Sequence, residues 1–475
     1  MRTFEPYVLT PLDHLLPPAH MFTFFTFELE RPSESIQILQ EALSRLLVAL
    51  PFLSGNVAMS SQIKDKVNLQ EVRPADGPTM LQFPMLQVQH HRNKVCAIDW
   101  DAIFNQNYIP LPLVMSSSLP IPVARFQANV MKDAVVVCMA SHHMAMDGLG
   151  AMAVLESLAA CCRNAAPITS MILQAEVRKQ IAAATSAKPV DHHDGYGQPP
   201  HLTAIPISRN FTLSAEKIRK LKETCNSIIL GGAEDKAYPT LSSNDIVTAL
   251  IWICVMRARQ ANSMLVPGKL TSSLNLGVSV RTILQPGIPK SYIGNAVLVA
   301  PCSFPLKAME GRGKYWAQDL CLLCDVAQAV RSEVQAITNE HVRKIVSHIT
   351  QSSNWGSFQI QYPDLVVSNL RQSDIYQWDF GSVLGRVSNV DIPDPRFDGL
   401  CWIRPANPIL TSNPQAGRDQ SPPWDLRVVL EESVMQCLQE ESFFRWMQSS
   451  LPTPESIVSS QSPENFTMYG GGSKL

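Results

Sequence analysis

The sequence has almost no excess of charge of either sign. Its 39 Lys and Arg against 41 Asp and Glu leave a formal net charge of −2. Without a positive field the chain has nothing to hold a polyphosphate backbone, so nucleic acid is excluded as an expected partner. Long hydrophobic runs are missing too. The longest, IVTALIWICVM, spans positions 246 to 256 and falls short of the roughly 20 residues a membrane-crossing helix needs. No repeat with a period of roughly 20 to 50 residues is present, which excludes solenoids and propellers. No Gly-rich loop joins a strand to a helix, which argues against a doubly wound nucleotide-binding sheet. The amino terminus, MRTFEPYVLTPLDHLL, carries Glu5 and two early prolines and has no uninterrupted apolar stretch, so a secretory signal is not expected there.

Cysteine is present but not in the patterns that carry chemistry. The 11 cysteines are scattered, several inside apolar runs such as AVVVCMA and LIWICVM, as expected of reduced core thiols. Cys321 and Cys324 form a C-x-x-C, yet their surroundings, AQDLCLLCDVAQAV, have helical periodicity and no second pair at zinc spacing. Helix packing is the expected role of this pair.

What is there is a globular composition, 45% hydrophobic and 17% charged over 475 residues. That length calls for two domains of about 200 residues each. The stretch AAATSAKPVDHHDGYGQPPHLTAIP, rich in Pro, Gly, His and Ala, marks the junction. The expected division is a first domain over 1–164, a crossover linker over 165–208, a second domain over 209–460 and a flexible tail over 461–475. SESIQILQEALSRLLVALP, SAEKIRKLKETC and SSNDIVTALIWICVMRARQ read as helices, each with Ser at its start. MFTFFTFELE, PVARFQANVM, AVVVCMA, KLTSSLNLGVSV, AVLVAPCSF and LVVSNL read as strands. Their irregular alternation predicts an α/β protein built from two layered units.

The sharpest local feature is SHHMAMDGLG at positions 141 to 150, between the apolar strand AVVVCMA and the helix-like run AMAVLESLAACC. A strand-to-helix loop holds side chains on rigid supports. A neutral imidazole, with an ordinary pKa near 6.5, suits proton abstraction near neutral pH. Asp147 can turn back to hold the loop or an arginine, and Gly148 would permit an unusual backbone there. Two other readings stand beside this one. His142 and His143 could be satisfied loop histidines, or His142, His143 and Asp147 could ligate a metal. A metal site would call for a further cluster, and only His192, His193 and Asp194, within the linker, offer one.

H-H-x-x-x-D-G at this depth resembles the motif shared by chloramphenicol acetyltransferase-like enzymes, peptide-synthetase condensation domains and BAHD acyltransferases. Other stretches resemble the BAHD pattern in order along the chain: Leu12-Asp13, the helix SSNDIVTALIWICVMRAR, Ser291-Tyr292-Ile293-Gly294-Asn295-Ala296, Asp379-Phe380-Gly381, and the closing WDLRVVLEESVMQCLQEESFF. The family's D-F-G-W-G is DFGSVLG here, which resembles fungal members of the trichothecene acetyltransferase type more than plant ones. The family's T-S-W is Ser368-Asn369-Leu370 here, and its D-x-R-x-R is Ser279-x-Arg281-x-Ile283.

The resemblance implies two similar-sized domains, each a mixed sheet flanked by helices, around an active-site channel at their interface. It implies acyl-CoA as donor co-substrate, a small alcohol or amine as acceptor, no permanently bound cofactor or metal, and a monomer. His143 would be the general base, with His142 beside it, and Asp147 would pair with Arg281. Asp379, Phe380 and Gly381 would shape the domain interface far from the reacting atoms, while Ser368, Asn369 and, more weakly, Asn295 are candidates to stabilise the oxyanion. The alternatives are a carrier-bound acyl donor, as in condensation chemistry, and a silent binding protein of the same fold. The last residues, Ser473-Lys474-Leu475, spell the tripeptide read by the peroxisomal import receptor, a terminus expected by chance on the order of once in thousands of chains.

Overall fold

The computed structural model describes residues 3–448 apart from 61, 106, 117–118, 187–205, 232–239, 264–267, 311–315, 359–361 and 409–420. The part of the expected linker that carries His192, His193 and Asp194 lies outside the described residues, as does Ser473-Lys474-Leu475. Among the described residues no helix is long and apolar enough to cross a membrane.

Two mixed sheets dominate the fold. The first has five strands in the order Asn389–Asp391, His20–Glu28, Ala134–His142, Ala124–Val130, Leu86–His90. All its pairs are antiparallel except the last, which is parallel. The second has six strands in the order Val297–Pro305, Thr271–Ser279, Leu365–Asn369, Leu400–Ile403, Trp424–Leu430, Ile207–Leu213. A four-stranded sheet formed by Tyr7–Val8, Gln70–Arg73, Asn56–Met59 and Ile121–Pro122 packs beside them.

All nine residues of Ala134–His142 are buried, because both faces of this strand are covered. On one face Phe25, Phe27, Val135, Val137 and Met139 meet helices Ser35–Ala49 and Gly148–Cys162 through Leu39, Leu43, Leu46, Val154 and Leu158. On the other, Phe22, Phe24, Val136, Cys138 and Ala140 meet Ile98, Ile103, Tyr108 and Leu111. The period of two that separates these faces is the ordinary strand alternation. In the second half, helix Ser243–Ala261 opens with a reciprocal cap between Ser242 and Asp245 and buries Trp252, whose indole N–H donates to Ser272 Oγ at 2.8 Å. Helix Trp316–Ala336 carries Cys321 and Cys324 as free thiols, Cys324 within the core.

The two halves are interleaved rather than strictly sequential. Asn389–Asp391 belongs to the later half of the chain but pairs with His20–Glu28 in the first sheet. A run of only three residues shows no alternation in the sequence, so this strap was not foreseen. Fully buried Arg427 ties it to the second sheet, donating from Nε to Asp391 Oδ1 at 3.1 Å and from Nη1 to Asp101 Oδ1 at 2.6 Å. Nearby, Met21, Leu370, Ile392, Leu400, Trp402 and Val429 form an apolar cluster between the sheets.

Candidate active site

The loop that follows Ala134–His142 turns tightly before helix Gly148–Cys162. Ala145 and Met146 both donate their N–H to the His142 carbonyl, and His143 N–H donates to the Ala19 carbonyl at 2.8 Å. The helix begins at Asp147, whose Oδ1 accepts from Gly150 N at 2.7 Å as an N-cap. The same carboxylate accepts from Arg281 Nη1 at 2.8 Å and Nη2 at 3.0 Å, and from Ala296 N at 2.9 Å. Arg281 is buried and also donates to the Tyr292 and Gly294 carbonyls. A bidentate guanidinium-carboxylate pair is the strong, geometrically specific form of this contact. It fixes the loop against the 292–296 segment of the second half.

Asn295 completes that junction. Its amide donates to Asp13 Oδ1 at 2.8 Å and to the His143 and Met144 carbonyls at 2.9 and 3.0 Å, while its backbone N–H also donates to Asp13. Three acceptors already share the two amide hydrogens, so Asn295 braces the histidine loop from behind and has no donor left for an oxyanion. Asp13 is buried and accepts from Thr10 N and Oγ1 as well. Burial, only partly offset by these bonds, raises its carboxyl to about 6. The scattered sequence features at 13, 142–148, 281 and 291–296 thus meet at one place. The bracing part played by Asp13 was missed from the sequence, where only its place in an L-D pair was noted.

His143 is half-buried. Its Nδ1 lies 3.3 Å from the Met146 carbonyl, and because a carbonyl can only accept, Nδ1 carries the hydrogen and Nε2 is left with a lone pair. Desolvation lowers its pKa below the ordinary histidine value, opposed by the charges of Asp147 and Asp394. It therefore stays neutral, and able to accept a proton, at neutral pH. His142 is buried with no hydrogen-bond partner on either ring nitrogen among the described residues. Burial, with His20 and His143 adding to it, holds His142 well below the usual range.

Gly148 does not adopt the unusual backbone expected of it; among the described residues the glycines with positive φ are Gly268, Gly381, Gly385 and Gly399. A Cβ on Gly148 would meet only the Leu370 side chain at 3.0 Å, whereas one on Gly150 would fall 1.8 Å from the Ile293 carbonyl oxygen. The residue that needs to be glycine for space is Gly150, so that the helix can press its start against the 292–296 segment.

Ser368 and Asn369 end the strand Leu365–Asn369, beside the apolar cluster containing Leu370. Asn369 donates from Nδ2 to Asn244 Oδ1 at 2.5 Å and accepts from Arg371 N, while Ser368 is half-buried. Asp379, Phe380 and Gly381 lie elsewhere. Phe380 is fully buried against Phe27, with ring centroids 4.9 Å apart, and against Phe25. Phe27 stands seven residues along its strand from His20, roughly 20 Å at the strand rise. Gly381 has φ +91°, and Gly381 N donates to Asp379 Oδ1, closing a turn that Arg163 caps by donating to the Asp379 carbonyl. Among the described residues no group of three His, Cys, Asp or Glu is arranged to hold a metal ion.

A mixed two-sheet fold that plants a neutral imidazole on an arginine-braced loop between its halves is the architecture of a chloramphenicol acetyltransferase-like acyltransferase. The chain belongs to the Transferase family, which it matches over residues 6–443, and it is an acyl-CoA-dependent acyltransferase. It is similar to the communesin N16 acyltransferase of Penicillium expansum, at 32% identity over 94% of this chain and 98% of that one. It is also similar to the fumigaclavine B O-acetyltransferase of Aspergillus fumigatus, at 31% identity over 94% and 97% of the two chains. Its fold is similar to that of F. graminearum TRI101 complexed with coenzyme A and deoxynivalenol, with a TM-score of 0.74, 18% identity and coverage of 94% and 99%. Vinorine synthase shares the fold at a TM-score of 0.62 and 14% identity, over 95% of each chain.

Proposed function

We propose that the chain moves an acyl group from acyl-CoA to a hydroxyl of a fungal specialised metabolite, with His143 as general base. The observation that carries this reading is the 3.3 Å contact of His143 Nδ1 with the Met146 carbonyl, which assigns the hydrogen to Nδ1 and leaves Nε2 to take a proton. In the reaction Nε2 removes the acceptor's proton as its oxygen bonds to the thioester carbonyl carbon. The tetrahedral intermediate then collapses, the carbon–sulfur bond breaks, and the coenzyme A thiolate recovers the proton from His143. No acyl-enzyme is needed. Ser368 is the oxyanion donor in this scheme, with Asn369 beside it. In this scheme a channel between the halves brings donor and acceptor together. Curated relatives named for N- and O-acylation make both acceptor classes worth assaying, the hydroxyl first.

The protein works as a monomer, with no cofactor bound permanently, and the import receptor recognises Ser473-Lys474-Leu475 and delivers it to the peroxisome. There, acyl-CoA of many chain lengths is at hand. A donor series of acetyl-, hexanoyl- and decanoyl-CoA with mixed alcohol and amine acceptors tests the reading. Acceptor-dependent thiol release from free acyl-CoA is expected; release only from a carrier-bound acyl group would replace it with condensation-type chemistry.

A further inference from the structure

A cleft of about 600 Å³ opens at the outer edge of the first sheet, between strand Leu86–His90 and the segment 104–113. That volume falls within the range of small-molecule sites, about 300–1,000 Å³. Its apolar wall includes Phe104, Ile109 and Leu111, and its polar side is made of carboxamides, chief among them Gln87 and Gln127. No charged side chain lines it. The polyphosphate of coenzyme A, which calls for Arg or Lys, therefore has no partner here.

The orientation of the Gln127 amide follows from its neighbours. Asn129 Nδ2 donates to the Tyr108 and Val136 carbonyls at 3.0 and 3.1 Å, so Asn129 Oδ1 can only accept. It accepts from Gln127 Nε2 at 2.8 Å, and the other hydrogen on that nitrogen goes to the Asn107 carbonyl at 2.6 Å. Both amide hydrogens are thus spent on the protein. Gln127 Oε1 is the polar atom left to the cleft; it accepts no hydrogen bond among the described residues, in a residue only 4% exposed. Gln87 gives a hydrogen of its Nε2 to the Pro110 carbonyl at 2.8 Å, and its Oε1 likewise accepts from none of the described residues. A desolvated carbonyl oxygen without a donor is unfavourable, so a ligand that brings an N–H or O–H gains by supplying one.

The cleft lies on the sheet face that carries His20 and His142, yet it is a separate place. Gln127 pairs in register with Cys138, four residues before His142, which puts Gln127 and His142 about 14 Å apart at ordinary strand dimensions. Ile103, Tyr108 and Leu111 cluster with Cys138 and Ala140 and fill the face between them. Phe104 rests on Phe22, with ring centroids 5.4 Å apart.

We propose that this cleft is a second small-molecule site, apart from the acyl-transfer loop, for a neutral fused-ring compound that carries an N–H or O–H on an otherwise apolar edge. The ring lies against Phe104, Ile109 and Leu111, and its N–H or O–H donates to Gln127 Oε1. An ionised ligand is disfavoured, because no lining group compensates its charge. The site does not depend on His143 being the base.

The test is a pair of ligand-observed NMR titrations of the full-length protein, one with indole and one with N-methylindole. Indole, whose one polar group is its N–H, is expected to bind wild type roughly three- to tenfold more tightly than N-methylindole, the difference a single hydrogen bond makes. Gln127→Met, which keeps the length of the side chain and removes its oxygen, is expected to weaken indole to the level of N-methylindole and leave N-methylindole where it was. Loss of structure would weaken both. Ile109→Trp, which fills the cleft, is expected to abolish binding of both compounds, and His143→Ala to change neither. Equal binding of the two by wild type, no saturable binding of indole, or binding that survives Ile109→Trp or fails in His143→Ala overturns the proposal. None of these outcomes bears on His143 as base, since no acyl-CoA is present and failure of the base appears only in turnover.

Discussion

At the residue scale, the arrangement around Asp147 separates charge from catalysis. Its carboxylate caps a helix, pairs with the Arg281 side chain and receives Ala296 N–H, so all four of these bonds hold the loop in place. Asp147→Asn would leave a buried guanidinium without its counter-charge, and breaking a buried pair in this way costs about 3–5 kcal/mol. The expected outcome is a lower midpoint in urea unfolding at unchanged slope, with activity lost as the loop loosens; an unchanged midpoint would contradict it. Much of this could be read in advance. H-H-x-x-x-D-G located the loop, and the family resemblance supplied Arg281 as the partner of Asp147. The tautomer of His143 could not be read, because it depends on where the loop brings the Met146 carbonyl. The bracing by Asn295 was also beyond the sequence, since an amide that can donate to an oxyanion can equally donate to carbonyls. His20 reaches the site through His142, and Arg396 through the His20 carbonyl, by contacts between residues far apart along the chain, which no local pattern reports.

At the element scale, the start of helix Gly148–Cys162 sets how closely the loop approaches the second half. A methyl group on Gly150 would lie 1.8 Å from a backbone oxygen that cannot rotate away, whereas one on Gly148 would meet a leucine methyl that can. Gly150→Ala should therefore lower thermal stability by the 1–3 kcal/mol typical of overpacking or more, and should depress kcat by displacing the loop. Gly148→Ala should do markedly less of both. Thermal melts and initial rates of the two variants check this, and equal effects would contradict it. The long strands and helices were legible because their apolar spacing matches the periods of two and 3.6 over many residues. The strap Asn389–Asp391 was not, being three residues long. The unusual backbone expected at Gly148 was misjudged from the sequence, because what requires glycine here is closeness of approach at Gly150.

At the scale of the whole molecule, the fold class was legible from the motifs in their order, and the interleaving of the halves was not. A boundary drawn from composition treats each half as contiguous, whereas the Arg427–Asp391 contact and the strap stitch the sheets together after residue 388. The proposed import signal Ser473-Lys474-Leu475 belongs to this scale as well, because such a signal would act on the protein as a unit. Its deletion is expected to leave acyl transfer intact and move a fluorescent fusion from punctate bodies to the cytosol; unchanged puncta would remove the peroxisomal assignment.

Proton transfer through His143 is the central step of the proposed reaction, and thiol release followed against pH in wild type and His143→Ala tests it most directly. An acceptor-dependent rate that falls on the acid side of a limb lying below the ordinary histidine value, and a loss of about 10²–10⁴-fold in the variant, are the results expected of a desolvated imidazole base. A rate that stays flat from about pH 8 to pH 5, or a variant as active as wild type, would contradict it.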